Sequence, residues 1–160
     1  MPVTNPFGSR FEHAFAHYAL ALYAHPPLAR LCLSLQDEQG MDVNLLLWAA
    51  WLDQQAIPVD TALWRAGAAA VHYWRGYIIQ PLRWLRRRLK PIKACYPCAQ
   101  KLELRAEAVA MQRLFNIASQ WSVAAVHNSG PSYTQMYFRQ MQCELRWTEW
   151  QFALKDLSER

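Results

Sequence analysis

The chain has 160 residues, the length of one ordinary domain, with 53% hydrophobic residues, only 18% charged residues and 8 Trp. That apolar load excludes a disordered chain, and 5 Gly with 9 Pro argue against a sandwich of many tight turns. The formal charge of +5 is segregated: residues 1–60 hold two basic and six acidic side chains, residues 61–105 hold ten basic side chains against Glu103 alone, and residues 106–160 balance five against five.

The opening Met-Pro-Val-Thr-Asn-Pro-Phe lacks the basic flank and apolar core of an export signal. Between Arg113 and Arg139 no residue is charged, yet polar side chains, Gly130 and Pro131 interrupt the stretch, so no transmembrane segment is expected. Cys32, Cys95, Cys98 and Cys143 therefore read as reduced thiols, and the expected location is cytoplasmic.

In chain order, residues 1–8 are expected to be a flexible N-terminus. Ser9 with Glu12 then makes a capping box, and Phe11, Phe15, Tyr18 and Leu22 recur at helical spacing over about 10–24, up to His25-Pro26-Pro27. Leu28, Leu31, Cys32 and Leu35 mark a second helix, ended by Gly40 as a left-handed cap. Asp42 caps a third helix that is apolar nearly all round from Leu45 to Trp51, the expected centre of the core, and Pro58 ends it. Asp60 or Thr61 opens a long fourth helix with Trp64, Val71, Ile78 and Leu85 every seven residues, kinked at Pro81 at a cost of roughly 3 kcal/mol unless a bend absorbs it.

A linker is expected at 91–97 and a fifth helix over about 98–127, stopped by Asn128-Ser129-Gly130. Ser132 with Gln135 caps a sixth, which is read as one continuous helix carrying Tyr137, Met141, Leu145 and Phe152. The sum is an all-α, single-domain bundle of about six helices over residues 1–160, built on the third.

Leu20-Ala21-Leu22-Tyr23, Cys32-Leu33-Ser34-Leu35-Gln36-Asp37, Gly40 to Leu47 and Trp51-Leu52, with weaker agreement at Pro81-Leu82-Arg83, Leu89-Lys90 and Glu103 to Glu107, form a signature. It resembles that of a proteobacterial family of helical proteins, the domain of unknown function DUF2390. The resemblance implies a small cytoplasmic bacterial protein and brings no mechanism with it.

Several residue groups are candidates for chemistry. Cys95-Tyr96-Pro97-Cys98 offers two thiols before a helix, but no strand precedes them as in a thioredoxin-like site, and a zinc site wants four ligands, so they read as linker thiols. His13 and His17 lie four apart, yet Ala14 stands where a zinc peptidase needs its glutamate, so a solvated face is the plainer reading; His72 reads as a packed imidazole. Gln36, Asp37, Asp42 and Asn44 cluster about the turn between helices two and three, where capping explains them more simply than a ligand pocket.

Arg83, Arg86, Arg87, Arg88, Lys90 and Lys93 form the densest charge run. Like charges four apart cost about 0.2–0.5 kcal/mol per pair, so either the acidic first third of the chain or an outside anion is expected to offset them. The sequence thus points to a non-enzymatic interaction protein, with no metal or cofactor, that binds an anionic macromolecule through this basic helix. An acidic protein fits better than a nucleic acid. The alternative is a small-ligand or metal-dependent enzyme using Asp37, Asp42 and Asn44 or the Cys95 and Cys98 pair. A homodimer through an exposed aromatic side of the sixth helix, formed by Tyr133, Tyr137, Phe138 and Trp150, is a further expectation.

Overall fold

The computed structural model describes residues 13–121 and 130–159. The Ser9 capping box, the N-terminal segment 1–8 and the Asn128-Ser129 stop lie outside the described residues. The protein is all-α, with helices α1 (Ala14–Ala24), α2 (Pro26–Gln39), α3 (Val43–Gln54), α4 (Thr61–Trp74), a π-helical turn (Arg75–Ile79), α5 (Gln80–Leu89), α6 (Tyr96–Gln120), α7 (Tyr133–Gln140) and α8 (Glu144–Ser158). The chain divides into two compact units, one of residues 62–121 with His13, the other of residues 14–61 and 130–159.

In the second unit α3 is the central element. Every residue from Val43 to Leu52 is buried, as a helix apolar on all sides requires, and α1, α2 and α7 pack around it. Asp42 begins it: its carboxylate accepts from the backbone N–H of Asn44 at 2.9 Å and of Leu45 at 3.3 Å, satisfying two donors that the first turn leaves open. Gly40 ends α2 at φ 66°, a left-handed conformation that costs glycine least.

The expected sixth helix is two helices. Met141-Gln142-Cys143 separates α7 from α8, and Gln142 takes φ 55°. The break anchors Cys143 in the core, its Sγ 3.8 Å from Met41 Sδ, and resets the helical phase. Tyr137 is therefore buried, while Leu145 and Phe152, expected on the same face, are 89% and 76% exposed. Tyr133, Tyr137, Phe138 and Trp150 are all buried, so they form no exposed aromatic side of the kind expected for a homodimer.

A carboxylate from α3 fixes the start of α7. Asp53 accepts from the Tyr133 N–H at 2.7 Å, the Thr134 N–H at 3.0 Å and the Thr134 hydroxyl at 2.7 Å. Ser132 Oγ adds the expected cap, accepting from Gln135 N–H at 3.2 Å. Tyr133 donates its hydroxyl to the Pro58 carbonyl and accepts from Asp60 N–H, both at 2.9 Å, and the Tyr137 hydroxyl accepts from Asp42 N–H at 2.9 Å. Two tyrosines thus complete the backbone hydrogen bonding just before α3 and in the segment between α3 and α4, where an unmet donor is costly. Burial, with Asp53 nearby, pushes the Tyr18 hydroxyl up to about 12.

In the first unit the π turn and α5 pack on α6. The rod runs unbroken from Thr61 to Leu89, so the described residues hold seven continuous helices rather than about six. Pro81 is accommodated by the widened turn before it: Gln80 N–H donates to the Arg75 carbonyl five residues back. The proline ring would meet the carbonyl of Tyr77, inside that turn, and the extra residue there makes room for a side chain that breaks regular helix. Trp74 Nε1 donates to the Ala106 carbonyl at 2.7 Å, and the Arg113 guanidinium lies 4.6 Å from the Trp74 ring centre. The expected linker at 91–97 is shorter, because Tyr96 and Pro97 already belong to α6, where a missing N–H costs nothing.

Candidate functional site

The basic run falls on α5 and the turn behind it, and the helix divides its cations into two sets. Leu82, Arg83, Arg86 and Leu89 are half-buried on the side that meets α6, whereas Trp84, Leu85, Arg87 and Arg88 are exposed. This is the three-and-four spacing of a helix with one packed face. Lys90 and Lys93 continue the exposed set beyond the helix end.

The inward pair is bound internally. Glu103 on α6 is only 7% exposed; its carboxylate accepts from Arg86 and lies 3.4 Å from Arg83 Nε. Arg83 donates its other N–H to Glu107 at 2.6 Å. A carboxylate this buried carries a desolvation cost that only well-placed cations offset, and two are provided. The bond to Glu103, with help from Tyr96, holds the Arg86 guanidinium above even the usual arginine range despite burial that pulls it down. Glu103, the single acid of residues 61–105, is therefore the partner of the basic run from within its own unit, and Arg83 and Arg86 are structural.

The outward set has a different environment. Trp84 is 59% exposed, and of the eight tryptophans it alone is exposed. Arg88 lies 5.0 Å from its ring centre, a cation–π contact worth about 0.5–1 kcal/mol at such a site, which holds indole and guanidinium together as a preformed plate. Leu85 and Ile92 are also exposed, and Tyr73 and Tyr77 lie further up the rod, exposed, with their rings 6.2 Å apart and 11° from parallel. The helix C-terminus also favours cations near it.

The remaining candidates fall elsewhere. Asp42 holds the first-turn amides of α3, Asn44 is buried in that turn, Gln36 is half-buried and Asp37 is exposed on α2, so capping accounts for Asp42. His13 stacks on Phe115 with ring centres 4.4 Å apart, while His17 and His72 are exposed; for His72 this replaces the packed imidazole with an edge contact to Tyr73 at 5.4 Å. Cys95 and Cys98 are exposed, and Cys32 and Cys143 are buried. Among the described residues no three His, Cys, Asp or Glu side chains gather as a metal site would require, and no helix is long and apolar enough to cross a membrane.

Two polar ties were not anticipated. His25, buried at the start of α2, meets Asp156 of α8 through Nε2 at 2.9 Å. Arg146 of α8 reaches Glu38 at 3.0 Å and Ser34 at 2.9 Å on α2, and Glu149 at 3.0 Å on its own helix. Apart from the Arg146–Glu149 pair, these, like the Asp53 contacts, join residues far apart in the chain.

A family model for proteins of unknown function, DUF2390, matches residues 14–114. The chain belongs to that family. Its matched span runs from the start of α1 into α6 and so takes in the whole basic run and its Glu103 partner. No curated protein and no solved structure matches the chain.

Proposed function

We propose that the protein is a non-enzymatic interaction protein whose outward α5 face binds an acidic protein partner. The observation that carries this reading is the splitting of the basic run: Arg83 and Arg86 face Glu103 and Glu107 on α6, whereas Arg87, Arg88, Lys90 and Lys93 are on the exposed side, with Arg88 over the exposed Trp84. Tryptophan and arginine are the residues that most often dominate binding energy at protein interfaces. The exposed aliphatic side chains Leu85 and Ile92 favour a protein over a nucleic acid, since they offer nothing to phosphates or base edges. They suit a partner segment that alternates carboxylates with apolar residues, which would bury them while its charges meet the cations.

The test is affinity capture with the full chain and with an R87Q/R88Q/K90Q/K93Q variant, each with and without nuclease. The reading expects protein partners that survive nuclease, elute with salt and are lost from the variant. Nuclease-sensitive capture would instead assign the face to nucleic acid, where four phosphate contacts give a salt slope of about −3.6. Equal capture by both chains would remove the proposal.

A further inference from the structure

The four cysteines fall into two classes. Cys32 and Cys143 are buried, and burial pushes the Cys32 thiol up to about 12 and raises that of Cys143, which makes both poor nucleophiles. Cys95 and Cys98 are exposed and share the first turn of α6, Cys95 as the residue that precedes the helix and Cys98 as its third residue. The sequence alone placed them in a linker; the helix start at Tyr96 instead puts Cys98 in the first turn of α6 and Cys95 at the capping position before it, with its backbone already in the helical region.

We propose that Cys95 and Cys98 form a reversible dithiol–disulfide site that exchanges with low-molecular-weight disulfides. Residues three apart on a helix hold their Cβ atoms about 5–6 Å apart, and a disulfide wants about 3.8 Å, so closure needs a local shift of about 1–2 Å. That shift falls on Cys95, whose carbonyl accepts the Ala99 N–H at 3.1 Å. Pro97 contributes no backbone N–H, and Cys95 lies outside the helix proper, tied by its own N–H to the Ile92 carbonyl at 3.0 Å in the preceding turn.

The chemistry balances with one external disulfide, RSSR. One cysteine thiolate attacks RSSR, forming a protein mixed disulfide and releasing RS⁻. The second thiolate attacks the protein sulfur of that bond and releases the other RS⁻. The two thiol protons end on two RSH, so the protein dithiol is oxidised and one RSSR is reduced. This site is independent of the α5 docking reading, and its test needs no partner.

The full-length protein, reduced and then freed of reductant, is equilibrated with oxidised glutathione, quenched with acid and read by intact mass and by maleimide labelling under native conditions. The expected result is loss of two hydrogens, no retained glutathione and loss of both native-reactive thiols, all reversed by excess reduced glutathione. C95S and C98S should each stop at a single glutathione adduct. Wild-type protein that accumulates two adducts, forms an intermolecular disulfide, or remains fully labelled by maleimide would overturn the proposal, as would single variants that behave like the wild type.

Discussion

Replacing Glu103 with Gln tests whether part of the basic run is internal structure. The substitution keeps the shape and one acceptor and removes the charge that faces Arg83 and Arg86. Removing one partner of a buried ion pair costs about 3–5 kcal/mol because the other charge is left uncompensated. Two features of this site lower that figure: Arg83 keeps its 2.6 Å bond to Glu107, and the Arg86 side chain is 28% exposed. An expected loss of about 2–3 kcal/mol follows, equivalent to about 5–10 °C in Tm for a chain of this length. Urea and thermal unfolding followed by circular dichroism measure it. A cycle with R86M sharpens the result, since in the double variant neither charge is stranded and the combined loss should fall short of the sum by about 1–2 kcal/mol. An E103Q protein within about 0.5 kcal/mol of the wild type, or strictly additive losses, would refute the assignment of these arginines to structure.

Three further outcomes are expected. D53A removes the acceptor of two backbone amides and a hydroxyl at the start of α7 and should cost about 2–4 kcal/mol in urea unfolding, well beyond the 1–2 kcal/mol of an ordinary cap, because buried donors are left unmet. The Tyr18 hydroxyl, at about 12 when folded against 10.0 when free, contributes stability that is fully present below pH 10 and is lost as pH rises through 12; the gap corresponds to about 3 kcal/mol. Y18F should flatten that loss in alkaline unfolding, although Cys32, displaced in the same direction from 9.0 to about 12, keeps a residual slope. The R87Q/R88Q/K90Q/K93Q variant should unfold within about 0.5 kcal/mol of the wild type, as exposed substitutions do, and a larger loss in the same urea assay would mean that the outward cations carry structure.

What the sequence discloses here is local. The Asp42 and Ser132 caps, the left-handed Gly40 and the buried third helix all depend on residues within about four positions of each other, and each appears where the pattern puts it. The break at Gln142 is different. A non-glycine residue in the left-handed region has no spacing signature, and the energy that places it there comes from Cys143 entering a core that includes Met41, about a hundred residues away in the chain. Because that phase reset is invisible, the apolar spacing through Met141 and Leu145 looks continuous, and the aromatic residues on either side are assigned to the wrong environment. The π turn is similar: Pro81 announces a disturbance, but whether the backbone kinks or inserts a residue depends on packing against α6.

For the basic run, charge segregation marks the residues but not their division between a packed and an exposed side. Arg83 and Arg86 share a face by helical geometry, and Glu103 and Glu107 share another, yet only the packing of α5 on α6 brings these faces together. The acidic first third of the chain and an outside anion were the two expected counter-charges; for Arg83 and Arg86 it is Glu103, the lone acid inside the basic segment, and Glu107 that provide it. The cysteine pair shows the same limit, because its spacing was plain while its position in the first helical turn depended on where α6 begins.

In the proposed complex, carboxylates of a protein partner meet the cations that follow Arg86. Zero-length carbodiimide coupling of a captured complex, followed by peptide mapping, tests it most directly, since it joins only amines and carboxylates already in contact. The expected result is isopeptide links from Lys90 or Lys93 to partner Asp or Glu side chains, lost when both lysines are replaced by Gln. Links that leave these two lysines untouched and run through the exposed Leu145 and Phe152 side of α8 instead would contradict it.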